Sequence, residues 1–245
     1  MRIGAPGACA DPDFAVSSID ETRTARLIGR IRKGPAMIDL YTWTTPNGRK
    51  ISIALEELKL PYTVHSVDIG KDQQFAPEFL RISPNNKIPA IVDRENGFTL
   101  MESGAILLYL ADKTGQLLPA SGLARYRAIE WLMWQMSGPG PTFGQVHAYV
   151  RFNKGKAPFA EERLMKETRR LYSVLDQRLS DRQFVADDYS IADIAIWPWV
   201  SRFEWHTIDL REYPNVLRWY KAIAERPAVK AGYKVPADVG DIPMP

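Results

Sequence analysis

Two short stretches combine residue types that suit the binding of a peptide-like ligand. Residues 85–92 carry Ile88 and Pro89 directly before a β-branched run, and Glu102 and Ser103 follow ten residues later. Since a proline cannot donate a hydrogen bond to a sheet, Pro89 is predicted to begin a strand. A cis Ile88–Pro89 bond would turn the N–H and carbonyl of Ile88 outward, although only about 5–6% of X-Pro bonds in folded proteins are cis.

The second stretch predicts the start of a helix. Ser103 precedes the apolar segment 105–110, and its hydroxyl is predicted to cap the helix. Free N–H groups at a helix start attract carboxylates. An outward-facing backbone edge beside such a helix start would hold a peptide-like ligand. The alternative is a strand, a turn and a capped helix without any ligand.

The composition excludes several other classes of function. The 245-residue chain carries 32 basic and 29 acidic residues with a net charge of +3, so we expect no nucleic-acid partner. Apolar runs such as residues 194–200 are far shorter than the ~20 residues of a membrane-spanning helix. One cysteine, Cys9, and the scattered His65, His147 and His206 predict neither an intramolecular disulfide nor a metal site. We expect a cytoplasmic protein without a membrane or metal partner.

Residues 1–36 are predicted to be an N-terminal extension. They are rich in glycine and proline and carry a basic cluster, which leaves little material for a core. They lack the apolar region of a secretory signal, and their acidic residues argue against an organellar transit peptide. A folded pattern begins at Met37, so an appended arm and a mis-called start site both remain open.

Residues 37–117 are predicted to form an α/β domain. The predicted elements are a strand at 38–41, a helix with Ile51, Leu55 and Leu58 at helical spacing, a strand at 62–67, a short helix at 75–82, strands at 90–92 and 98–101, and the helix that Ser103 opens. Strand–helix–strand units favour a right-handed parallel crossover, and a trailing hairpin would add an antiparallel edge. This order is that of a thioredoxin-like domain.

The rest of the chain is predicted to be all-α. Its predicted parts are a linker at 118–123, a helical domain at 124–232 and a C-terminal tail at 233–245. Ser190 and Asp193 form a predicted capping box ahead of the apolar helix 194–200, which should be buried. Pro198 is expected to kink this helix. Most of the seven tryptophans are expected to pack in the helical core.

Three motifs in this arrangement resemble the cytosolic glutathione transferases, and in particular their nu class. They are Thr45-Pro46-Asn47-Gly48, the run at 77–91 that contains Ile88-Pro89, and Trp131-Leu132-Met133-Trp134-Gln135. The resemblance covers residues 37 to about 230 and implies a thioredoxin-like domain followed by an all-helical one. Bacterial members of that class act as disulfide-bond reductases, so the resemblance implies glutathione as the co-substrate.

The resemblance also implies a role for individual residues. The main chain of Ile88, ahead of Pro89, would hold the cysteinyl unit of glutathione in antiparallel fashion. Glu102 would take the γ-glutamyl ammonium, and Ser103 with its helix start would take the carboxylate. Thr45 and Asn47 would face the sulfur and lower the pKa of the thiol.

Three further positions match family residues at the edge of this site. Gln74 and Lys87 match positions near the glycyl end and a second tripeptide. Arg163 matches a position that reaches the glutathione carboxylates, and its alternative is a solvated helix face. Because no cysteine stands at the Thr45 to Asn47 turn, the attacking thiolate would come from bound glutathione.

Three functions remain open at this stage. The first is a glutathione-dependent disulfide-bond oxidoreductase, the second a transferase that conjugates glutathione to electrophiles, and the third a glutathione-binding protein without useful turnover. The resemblance and the apolar excess of the second half also imply a homodimer. The disulfide or electrophile pocket is expected between the two halves, near Trp134, Pro139 and Phe143.

Overall fold

The computed structural model describes residues 37–245. The predicted extension 1–36, and Cys9 with it, lies outside the described residues. None of the helices in the described part combines the length and apolar character needed to cross a bilayer.

The first half is a four-stranded sheet with helices, as the thioredoxin-like prediction requires. Its elements are β1 (Ile38–Thr42), α1 (Pro46–Glu57), β2 (Tyr62–Ser66), two 3-10 turns (Ile69–Lys71 and Gln73–Phe75), α2 (Pro77–Leu80), β3 (Ala90–Asp93), β4 (Phe98–Met101) and α3 (Ser103–Thr114). The strand order is β2-β1-β3-β4. Strands β1 and β2 are parallel, while β3 runs antiparallel to both β1 and β4. The predicted crossover and hairpin are therefore confirmed.

The second half is helical throughout the described residues. Its elements are α4 (Gly122–Ser137), α5 (Pro139–Val146), a π-helical turn (His147–Arg151), α6 (Pro158–Arg178), α7 (Ile191–Val200), a 3-10 turn (Leu210–Glu212), α8 (Pro214–Ala224) and α9 (Pro227–Tyr233). Helix α4 begins at Gly122, so the last residues of the predicted linker 118–123 already belong to this helix. The predicted break at 138–141 is the start of α5, because Pro139 occupies its first turn.

Helix α1 lies between the sheet and the helical half. Thr45 caps its start, Pro46 takes the first position, and Ile51 and Leu55 are fully buried. On its other side α1 meets α9 so closely that a Cβ at Gly232 would lie 2.7 Å from the Ile53 backbone. Glycine at this position therefore sets how near the two halves approach.

Helix α7 is buried along its whole length, as predicted. The Ser190–Asp193 capping box is present: the Ser190 N–H donates to Asp193, and the Ala192 N–H donates to Ser190 Oγ at 3.2 Å. The same Asp193 carboxylate accepts from the indole of Trp219 at 2.8 Å. This network fixes α7, and Trp199 on it, against the helices around it. Pro198 lies inside α7, and its kink stays a prediction.

Candidate functional site

A cleft opens where the start of α1, the loop before β3 and the start of α3 meet α4. Its lining residues are Asn47, Ser83, Lys87, Ile88, Pro89, Met101, Glu102, Ser103 and Met136. Six of the predicted site residues are among them. The first half of the chain supplies almost the whole wall, and Met136 closes it from the helical half.

The loop before β3 presents its backbone to this cleft. The Ile88–Pro89 peptide bond is cis. The Ser83 hydroxyl donates to the Lys87 carbonyl at 2.9 Å and ties the loop to the end of α2. Within residues 37–245, no other group hydrogen-bonds the N–H or the carbonyl of Ile88. One donor and one acceptor are therefore available to an extended peptide at this point.

The start of α3 differs from the prediction in one respect. Glu102 occupies the capping position, with φ of 70° and no side-chain cap, and Ser103 is the first helical residue. Ser103 therefore does not cap α3. Its hydroxyl instead accepts a hydrogen bond from Lys50 Nζ at 3.3 Å. The uncapped N–H groups of the first turn keep the site attractive to a carboxylate, and the exposed Glu102 carboxylate is available to an ammonium group.

Asn47 has a fixed side-chain orientation. Its Oδ1 accepts a hydrogen bond from Trp199 Nε1 at 3.0 Å. Since an indole nitrogen only donates, the atom facing it must be the amide oxygen. The Nδ2 group of Asn47 is thus left as a donor for the cleft that this residue lines. Thr45 does not line the cleft, because its Oγ1 caps α1 by accepting from the Gly48 N–H at 3.1 Å.

Trp199 is held in place by packing of its own. Its ring centroid lies 5.6 Å from that of His147, and His147 stacks on the buried His206 at 5.1 Å. Nε2 atoms of the two histidines are 3.1 Å apart, and His206 Nδ1 lies 2.9 Å from the Tyr172 hydroxyl. Burial lowers the pKa of His147 to about 4, so this cluster is uncharged at neutral pH. No sequence pattern predicts that His147 and His206 meet behind Asn47.

Lys50 is a neighbour of the cleft that the sequence analysis missed. Its side chain is buried, and Nζ lies 2.6 Å from Gln135 Oε1 and 3.5 Å from Met136 Sδ as well as near Ser103. Burial lowers its pKa to about 7, against a smaller opposing effect of Glu102. The sequence feature that could have pointed to Lys50 is its spacing from Asn47. Residues three apart lie on the same side of a helix.

Besides Thr45, two predicted site residues lie outside the cleft lining. Gln74 belongs to the turn Gln73–Phe75, where its Nε2 is 3.5 Å from Asp72 Oδ1. Arg163 is exposed on α6, which agrees with the solvated-face alternative. The predicted substrate pocket also needs correction, because Phe143 is buried in the core and stacks on Tyr172 at 5.3 Å. Within residues 37–245, no group of three His, Cys, Asp or Glu side chains could hold a metal ion.

Relatives of this chain include two proteins of Escherichia coli (strain K12). The Disulfide-bond oxidoreductase YfcG is 50% identical over 198 residues, which cover 78% of this chain and 92% of YfcG. The Disulfide-bond oxidoreductase YghU is 39% identical over 218 residues, which cover 81% of this chain and 75% of YghU.

Solved structures with the same fold contain glutathione in one of its two redox forms. A glutathione transferase from Pseudomonas putida, with one glutathione disulfide bound per subunit, superimposes with a TM-score of 0.80 at 43% identity, over 88% of this chain and 96% of its own. A glutathione transferase from Burkholderia graminis, with two glutathione molecules per subunit, gives 0.75 at 44% identity, over 84% and 90%.

Family models match both halves of the chain. Residues 36–112 match "Glutathione S-transferase, N-terminal domain", and residues 158–222 match "Glutathione S-transferase, C-terminal domain". Together with the identity to full-length relatives, these matches show that the chain belongs to the glutathione S-transferase family.

Proposed function

We propose that this protein is a glutathione-dependent disulfide-bond oxidoreductase of the nu class that uses the thiolate of bound glutathione. The observation that carries the proposal is the Asn47 amide, whose oxygen is engaged by Trp199 so that its N–H donors are left for the cleft. The names of the E. coli relatives and the glutathione in the related structures support the same reading.

The residues of the cleft suit the parts of glutathione. The cysteinyl unit pairs with the N–H and carbonyl of Ile88, ahead of Pro89. The γ-glutamyl carboxylate binds at Ser103 and the start of α3, and the ammonium binds at Glu102. Lys87, exposed on the rim, takes the glycyl carboxylate. Arg163 has no contact with glutathione in this proposed arrangement.

The thiolate then lies near Asn47. An amide donor stabilises the thiolate over the thiol and so lowers the pKa of the bound thiol. Thr45 contributes chiefly by capping the start of α1. Asn47 lies at this start, so the positive end of the α1 dipole also favours the thiolate.

The chemistry requires two glutathione molecules per disulfide. The first thiolate attacks one sulfur of the substrate disulfide, a new S–S bond forms, and the other substrate sulfur leaves as a thiolate that takes a proton. The second glutathione thiolate attacks the mixed disulfide at the glutathione sulfur. Glutathione disulfide leaves, and the second substrate sulfur is released as a thiol. Two glutathione molecules are oxidised and one disulfide is reduced.

Conjugation of glutathione to electrophiles is the second candidate, because it needs the same activated thiolate. Steady-state assays on a model disulfide and on a model aryl halide separate the two activities. Binding without turnover in either assay would leave the third reading, a glutathione-binding protein. A reducing cytoplasm, where glutathione is abundant, is the compartment we propose for the first two.

We also propose that the chain forms a homodimer through α4. Leu123, Tyr126 and Met133 follow one another at helical spacing on this helix and are 89%, 69% and 44% exposed. Phe98 on the edge strand β4 is 46% exposed as well. Apolar side chains of this size on one face of a helix mark an interaction surface, and a stable dimer buries on the order of 1,600 Å².

The first prediction separates a glutathione thiolate from a protein thiol. Asn47→Ala should lower kcat for glutathione-dependent reduction of a small disulfide by about 10²-fold, by analogy with the loss of one oxyanion donor. Cys9→Ala, and equally a chain that begins at Met37, should stay within a few-fold of the parent, because the proposed attacking sulfur belongs to glutathione. Loss of turnover in Cys9→Ala with turnover retained in Asn47→Ala would refute the proposed mechanism.

The second prediction tests the orientation of the Asn47 amide. Trp199→Phe keeps an aromatic side chain but removes the indole N–H that fixes the amide oxygen of Asn47. The pKa of the bound glutathione thiol should therefore rise by about one unit. Ultraviolet absorbance of the thiolate against pH measures it. Trp131→Phe is the matched control, since the buried Trp131 Nε1 has no hydrogen-bond partner among the described residues. Equal pKa values of the bound thiol in Trp199→Phe and Trp131→Phe would show that the Trp199 hydrogen bond does not influence the thiol.

The third prediction concerns assembly. Light scattering at micromolar concentration should give twice the 27.8 kDa of one chain. Leu123→Glu combined with Tyr126→Glu should give the monomer mass, because paired charges cannot be buried without partners. Lys221→Glu, an exposed position on α8, is the charge control and should leave the dimer intact. A parent protein of monomer mass contradicts the proposal.

A further inference from the structure

Lys50 is a buried lysine that forms no ion pair with any carboxylate of the described residues. Its side chain is 1% exposed, and within residues 37–245 no carboxylate lies within ion-pair distance of its Nζ. Two buried carboxylates of the described chain are paired with cations, Asp39 with Arg94 and Asp93 with Lys113, whereas the buried Arg49, like Lys50, has no ion-pair partner among the described residues. An ammonium group is costly to bury without an ion-pair partner. Burial of Lys50 therefore disfavours its protonated form.

Neutral acceptors surround the amine. Gln135 Oε1 on α4 lies 2.6 Å from Nζ, Ser103 Oγ on α3 lies 3.3 Å away, and Met136 Sδ lies 3.5 Å away. Gln135 is itself fully buried, so its carbonyl oxygen is fixed toward Lys50. Two helices, α3 and α4, therefore supply the amine on α1 with hydrogen-bond acceptors that are all uncharged.

Lys50 stands directly behind the start of α3. Ser103 Oγ, which accepts from Nζ, belongs to a residue that lines the cleft, and Met136 lines it as well. A carboxylate bound at Ser103 would lie one hydrogen-bonded group away from the amine. An opposite charge at about 4–6 Å favours the protonated form of a lysine. The closely placed counter-charge that the described residues do not supply would thus come from the ligand.

We propose that Lys50 is a positioning residue of the glutathione site, and that it acts through Ser103 by taking up a proton when a ligand carboxylate binds at the start of α3. The inference rests on the proposed function and extends it. A neutral amine in the empty cleft avoids the cost of a buried charge, and the ammonium forms only when its counter-charge arrives.

The protonation state before binding follows from the surroundings. Burial lowers the pKa of Lys50 to about 7, and Glu102 at the start of α3 is the charged group that opposes this shift. Gln135 and Met136, which face Lys50 from α4, carry no charge. The empty site therefore holds mostly the neutral amine at pH 8 and mostly the ammonium at pH 6. Proton uptake on binding should be large at pH 8 and small at pH 6.

Calorimetry with S-methylglutathione tests this inference, because the methylated sulfur cannot ionise. Titrations at each pH are run in two buffers of different ionisation enthalpy, which gives the number of protons taken up. For the parent chain we expect proton uptake at pH 8 that is several-fold larger than the uptake at pH 6. Lys50→Met should lose this uptake at pH 8.

Two further measurements make the result specific to Lys50. Lys71→Met removes a lysine that is 76% exposed, away from the cleft, and should behave like the parent. A ligand with glutaryl in place of γ-glutamyl and a methylated sulfur lacks the amino group, so uptake with this ligand cannot come from the ligand. The parent chain should still take up a proton when it binds this glutaryl ligand. This measurement tests the inference even if Lys50→Met does not fold.

The outcomes separate this inference from the proposed function. Binding of S-methylglutathione with equal proton uptake in the parent and in Lys50→Met overturns the role of Lys50 and leaves the glutathione site standing. Binding of the glutaryl ligand without uptake at pH 8 does the same. Failure of S-methylglutathione to bind the parent chain overturns the glutathione site and this inference with it.

Discussion

Burial of helix α1 on two sides is the constraint on which the rest of this structure depends. One side packs on the sheet and the other on α7 and α9, where Gly232 allows backbone contact with Ile53. A helix enclosed in this way has little freedom to rotate or slide. Polar residues at the start of α1 are therefore held in fixed positions: Thr45 caps the helix, Asn47 lines the cleft, and Lys50 lies beside it.

Each of these residues is tied to a different part of the fold. Thr45 caps the helix, Asn47 receives the Trp199 indole from α7, and Lys50 reaches Gln135 on α4. The helical half thus does more than cover the thioredoxin-like half, because it orients the Asn47 amide at the cleft and supplies an acceptor to the buried amine. In the proposed function, this coupling lets a cleft whose described lining contains no cysteine prepare the thiol of a bound tripeptide for attack.

Sequence reasoning succeeded where local chemistry decides the structure. The parallel strand–helix–strand unit, the antiparallel hairpin, the capping box at Ser190 and Asp193 and the turn at Ile88 and Pro89 follow from local preferences, and the structure agrees with them. Ser103 was assigned the wrong local role because a glutamate with positive φ is an unusual capping residue, and propensity alone favours serine.

Contacts between residues far apart along the chain could not be predicted from the sequence. A lysine is expected on the surface, so the burial of Lys50 between α3 and α4 could not be inferred from its neighbours along the chain. The same holds for the Trp199 to Asn47 hydrogen bond, which joins residues 152 positions apart. Gln74 and Arg163 were placed by resemblance alone, and neither lines the cleft.

The central claim is that the attacking sulfur belongs to bound glutathione and never to the protein. Mass spectrometry of the full chain, acid-quenched during turnover of a small disulfide with excess glutathione, tests this claim directly. We predict that the chain keeps its unmodified mass at every time point, while mixed disulfides of glutathione and substrate accumulate and decay in the small-molecule fraction. A transient adduct of glutathione or substrate on Cys9, formed and lost at the rate of turnover, would contradict the account.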